Sequence, residues 1–188
     1  MLKFGKSTTP ILEVQSHQPL AVIFSAHPLI GSALSQSLQQ QKLQVLYFPF
    51  DSINNPQSLH ELSTSLGRLD YFVLIYPHLL SPAILDLASS LIARLQPKVL
   101  VIESYLHPLN PPSPLLTSPA PSFQLAYLSD PYGPSAQLSS VDRLSSLLKS
   151  ALTSGAISVS SDLKHRLYPT YINDLLTPLT KIFFSSQS

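Results

Sequence analysis

The stretch AVIFSAHPLIGSALSQSLQQQKLQVLYFP, residues Ala21 to Pro49, reads as four pieces in order. With Leu20 in front, LAVIFS is a short β-branched and aromatic run, of the length and type of a buried strand. SAHP is a turn. From Leu29 to Gln41 the apolar residues Leu29, Ile30, Ala33, Leu34 and Leu38 recur at helical spacing. LQVLYF, ending at Phe48, is a second strand. A strand, a turn, a helix and a strand make a βαβ unit, whose two strands run parallel.

The alternation continues down the chain. The turn-rich PFDSINNPQ is followed by a short helix, SLHELSTSLG, ended by Gly67. DYFVLIY is a third strand. SPAILDLASSLIARL is a helix that Ser81 can cap, with Pro82 at its first position and Pro97 past its end. KVLVIES is a fourth strand. The segment LHPLNPPSPLLTSPAPS, residues 106–122, breaks the rhythm, because its prolines prevent helix and central strand; it is expected to be a surface loop. FQLAYL resumes as a fifth strand. QLSSVDRLSSLLKSALTSG is a helix with Gly155 at its end, AISVS a short strand, and INDLLTPLTKIFF a last helix, expected to break near Pro178.

Strands alternating with helices argue for a parallel α/β sheet, and burial on both faces explains why the strands are continuous apolar runs. Residues 1–18 are expected to be a lead-in and 19–184 a single domain. The expected strand order is second, first, third, fourth, fifth, with helices on both faces, from the right-handed crossover rule.

Composition narrows the function. Of 188 residues, 44% are hydrophobic and 11% charged, and the net charge is +1, so no electrostatic argument favours a nucleic-acid or membrane partner. The absence of cysteine excludes disulfides, thiolate metal sites and cysteine nucleophiles. It also suits a cytoplasmic location. No apolar run reaches the roughly 18 residues of a membrane span, and MLKFGKSTTP has no apolar core of the kind a signal peptide needs.

Four stretches carry a resemblance to a known family. They are LIGSAL in the first helix; LDYFVLIY, whose strand begins with Asp; DPYGP after the fifth strand; and AISVSSDLKHRLYPTYINDLL, with Arg166, Ile172 and Asp174 in a familiar closing pattern. In order and spacing they resemble the extended short-chain dehydrogenase/reductases, the family of the NAD-dependent nucleotide-sugar epimerases and dehydratases. The resemblance implies a doubly wound, Rossmann-like parallel sheet of about five to six strands in three α/β/α layers. It also implies an NAD(P) site at the first turn. In this family two of the long helices that flank the sheet commonly form a dimer surface. Homo-oligomerisation, or pairing with an active relative, through LASSLIARL and VDRLSSLLKSAL is therefore expected.

The departures are as informative. The family's glycine fingerprint falls on Ser25, Pro28 and Gly31, so only the third glycine remains. Ser25 can serve the tight turn. Pro28, beside His27, lacks the N–H that would point at a phosphate, and reads better as the proline that starts the helix. Gly31 then serves close helix–strand packing. The ribose-binding acid falls near Pro49, with Asp51 two residues on. Tyr76 and Pro77 stand where the family has small residues beside the cofactor; Tyr76 either stacks on an adenine or simply fills space.

The family's catalytic Tyr-x-x-x-Lys pair is missing. The fourth residues after the eight tyrosines are Asp51, Ile75, Leu80, Leu109, Pro131, Ala136, Ile172 and Leu175. Ser104 matches a serine of the family's motif after the fourth strand, but the catalytic position aligns with Tyr105. The leading expectation is thus a reduced member without catalytic residues and without a bound cofactor. In that reading Ser25, His27, Gly31, Asp51 and Tyr76 are the degenerate cofactor positions. The alternative is a diverged nucleotide- or metal-dependent enzyme acting on a sugar nucleotide.

Two further patterns stand out in the sequence. GKST at Gly5–Thr8 imitates the tail of a phosphate-binding loop but follows no strand, and is read as chance. His27, His78 and His107 each follow a strand and each neighbour a proline. They could converge on one metal ion at the ends of the first, third and fourth strands. The plainer expectation is three separate loop histidines.

Overall fold

The computed structural model describes residues 18–49, 61–62, 64–76, 82–104, 123–128, 131–133, 143–157 and 169–185. The elements are β1 (Leu20–Ser25), α1 (Pro28–Gln40), β2 (Gln44–Pro49), β3 (Tyr71–Tyr76), α2 (Pro82–Leu95), β4 (Lys98–Ser104), β5 (Phe123–Leu128), β6 (Pro131–Tyr132), α3 (Arg143–Ser154), β7 (Thr170–Tyr171) and α4 (Ile172–Phe184). The main sheet has the order β2-β1-β3-β4-β5, as expected, and every pairing in it is parallel.

Side-chain alternation divides the core between the two faces. On one face Leu20, Val22 and Phe24 of β1, Phe72, Leu74 and Tyr76 of β3, and Val99 and Val101 of β4 pack with Ile84, Leu87, Ala88, Leu91 and Ile92 of α2. On the other, Ala21, Ile23, Val73, Ile75, Leu100 and Ile102 pack with α1 and α4. The central residues of these strands, such as Ala21–Phe24, Phe72–Ile75 and Val99–Ile102, are apolar without a break because both faces are covered. Ile84, Leu87, Ala88, Leu91 and Ile92 of α2 point into this core, and its outward positions include Asp86, Ser89, Ser90 and Arg94.

The last helix corrects an expectation. α4 runs unbroken through Pro178. An interior proline costs about 3 kcal/mol. Yet the helix buries Ile172, Leu175, Leu179 and Phe183, each contributing roughly 1.5–3 kcal/mol. Phe183 also stacks on Tyr71 of β3, with ring centroids 4.4 Å apart. Burial outweighs the local penalty.

A second difference is the pair β6–β7, a two-stranded parallel sheet that joins Pro131–Tyr132 of the DPYGP stretch to Thr170–Tyr171 just before α4. It brings the rings of Tyr132 and Tyr171 within 5.5 Å. A Cβ on Gly133 would collide with Ile172 Cγ2, so glycine is what lets this segment sit against the start of α4. Of the strand expected at 156–160, residues 156 and 157 are not in a strand and the rest lie outside the described residues. The proline-rich segment 106–122, residues 1–17 of the lead-in 1–18, and Ser81 also lie outside them.

The aspartate that opens the third strand ties down the sheet's amino-terminal edge. Asp70 Oδ2 accepts from the Leu20 amide at 2.9 Å, and Oδ1 accepts from Arg68 Nε and Nη2 at 3.1 and 2.9 Å. Its backbone amide donates to Leu20 O and its carbonyl accepts from Lys98 N. One residue thus links the starts of β1, β3 and β4. Asp70→Ala is expected to cost on the order of 2 kcal/mol, because it strands a part-buried amide that met a charged acceptor. Asp70→Asn, which keeps an acceptor for Leu20, is expected to cost less. Urea melts of both variants check this ordering.

Candidate functional site

In a doubly wound sheet, ligands bind beyond the carboxyl ends of the strands, where the strand order reverses. Here that point lies between β1 and β3, at the turn Ser25–Pro28. The register places Ser25 level with Pro49 of β2 and Ile75 of β3. The strand end that would offer an acid to a ribose therefore carries a proline, and Asp51 lies outside the described residues.

The turn is closed by its own atoms. Ser25 Oγ accepts from the His27 amide at 3.0 Å and donates to the His27 carbonyl at 2.8 Å. A hydroxyl thus does locally what a glycine's freedom does elsewhere: it holds a tight reversal. The Ala26 amide donates to Ile75 O at 2.8 Å and fixes the turn to β3. His27 is the N-cap of α1, its Nδ1 accepting from the Ile30 amide across a long 3.5 Å. The Gly31 amide donates to His27 O at 2.9 Å. Pro28 is the first residue of the helix and has no amide proton.

These bonds decide what the helix terminus can offer. A helix N-terminus binds phosphate through amides aimed outward at the anion. Of the amide positions 26 to 31, Ala26, His27, Ile30 and Gly31 already donate inside the protein and Pro28 cannot donate. That leaves the Leu29 amide, and one amide does not make a phosphate cradle. Ser25 and His27 are themselves buried, at 1% and 2% exposure.

Gly31 has a packing task. A Cβ built on it would lie 2.7 Å from Ser25 Cβ, from Ser25 Oγ and from Tyr47 Cε2. α1 can lie this close to β1 and β2 only without a side chain at position 31. The Tyr47 ring is the contact that sequence reading missed. Its signal is the alternation of β2, which sends Val45 and Tyr47 to the α1 face. Partial burial raises the pKa of the Tyr47 phenol above its ordinary value.

Tyr76 belongs to the opposite face. It is 3% exposed and sits in the cluster with Phe24, Phe72 and Leu74, packed with α2. The structure therefore brings Ser25, His27 and Gly31 together where β1 passes into α1 and places Tyr76 in the core beside α2. His78 and His107 lie outside the described residues, so of the histidine trio only His27 is placed, as a helix cap. Among the described residues no group of three or more His, Asp or Glu is arranged to hold a metal ion, and no helix is long and apolar enough to cross a membrane.

The fold is shared with solved structures at low sequence identity. The capsular polysaccharide assembling protein CapF from Staphylococcus aureus superposes with a TM-score of 0.63 at 13% identity, over 90% of this chain and 50% of CapF. The Helicobacter pylori ADP-L-glycero-D-manno-heptose-6-epimerase superposes with a TM-score of 0.59 at 15% identity, over 95% of this chain and 77% of the epimerase. The chain spans about half the length of CapF. At these identities the likeness is one of fold: a Rossmann-like parallel α/β sheet with flanking helices. No protein-family model matches the chain, and no curated protein matches it in sequence.

Proposed function

We propose that this chain is a member of the epimerase/dehydratase branch of the short-chain dehydrogenase/reductases that has lost the redox chemistry and works, in the cytoplasm, as a non-catalytic binding or interaction protein. The observation that carries the reading is the self-closed turn at Ser25–Gly31, whose amides are spent on Ile75, Ser25 and His27. The missing Tyr-x-x-x-Lys pair supports it independently. Calorimetric titration with the oxidised and reduced forms of NAD and NADP is expected to show no binding at millimolar or tighter affinity. Micromolar affinity would overturn the reading, for it would mean that the turn reopens to present its amides.

The second reading is a diverged enzyme acting on a sugar nucleotide. It rests on the fold shared with an ADP-heptose epimerase. An ADP-sugar arm in the same titration separates the two, since binding of the sugar nucleotide without the dinucleotide would favour this second reading.

The non-catalytic reading includes self-association or pairing with an active relative, which rests on the family resemblance. Light scattering of the purified chain is expected to show a dimer. A monomer at high concentration would remove the homodimer and leave pairing with a relative to be sought by co-expression.

A further inference from the structure

We draw no further inference here: the strongest candidate, the outward apolar stripe of α3 formed by Leu148 and Leu152 and continued by Ile157, carries nothing because nothing in the structure shows what covers it.

Discussion

Replacing Gly31 with alanine is expected to destabilise the protein by about 3 kcal/mol, the upper end of the cost of overpacking a filled core. For a chain of this size that lowers the melting temperature by about 6–12 °C. The single added methyl would meet Ser25 Cβ, Ser25 Oγ and Tyr47 Cε2, each at 2.7 Å. The Tyr47 ring can swing by a few tenths of an ångström. Ser25 cannot, because its hydroxyl is held by both the amide and the carbonyl of His27 and its backbone is in the sheet. A second substitution makes the mechanism testable. Ser25→Gly removes both of the rigid atoms that crowd position 31, at the cost of the hydroxyl that closes the turn. The double variant Ser25→Gly/Gly31→Ala is therefore expected to be more stable than the sum of the two single losses predicts, as neighbours in contact are not additive. Strict additivity would mean that Gly31 is needed for a reason other than this contact.

The cost at Gly31 also explains why the last of the positions Ser25, Pro28 and Gly31 carries glycine. These three positions have different physical duties. The first shapes a turn, and Ser25 does so with hydrogen bonds. The second is the first position of the helix, which Pro28 fits. The third sets the distance from helix to sheet, a need of the fold whether or not a ligand binds. A proline at the second position suits the start of the helix, whereas a side chain at the third crowds the helix against the sheet and destabilises the fold.

How much of this was legible in the sequence depended on the range of the interaction. The strand order could be read because two-sided burial writes itself as unbroken apolar runs, such as AVIF and FVLI, and because crossovers have one hand. The role of Pro28 could be read because it is local: a proline fits the first turn of a helix wherever that helix stands. The partner of Gly31 could not, since it sits on β2, sixteen residues away, and only the register Ile23–Tyr47 brings it alongside. The β6–β7 pair escaped because two residues are too few to show a period of two. Pro178 misled because the rule against interior proline is a local one, while the burial of Leu175, Leu179 and Phe183 that overrides it is tertiary.

Phe24→Ala is expected to be the most damaging single substitution, at about 3–5 kcal/mol, a large share of the roughly 5–15 kcal/mol that separates a domain of ordinary stability from its unfolded state. Phe24 is fully buried, one residue before the turn. Its ring meets Phe72 edge-on at 5.4 Å and Phe48 at 5.6 Å, so it ties β1 to both of its neighbours on the α2 face. Each such ring pair contributes about 0.5–1.5 kcal/mol beyond its buried area. The cavity left by alanine would open between three strands fixed in register, which limits the collapse that could refill it. Phe48→Ala is the informative comparison. It removes one of the same ring contacts, but from a half-buried position on β2. Its loss is expected to be smaller, at about 1–2 kcal/mol, because the site already borders solvent and less area is re-exposed. Equal losses at the two positions in chemical denaturation would show that the ring pairs, rather than depth of burial, dominate this face. A Phe24→Ala chain that still melts cooperatively near the parent temperature would show that the α1 face alone can hold the sheet. The fold would then depend chiefly on the side where Gly31, Ser25 and Tyr47 meet.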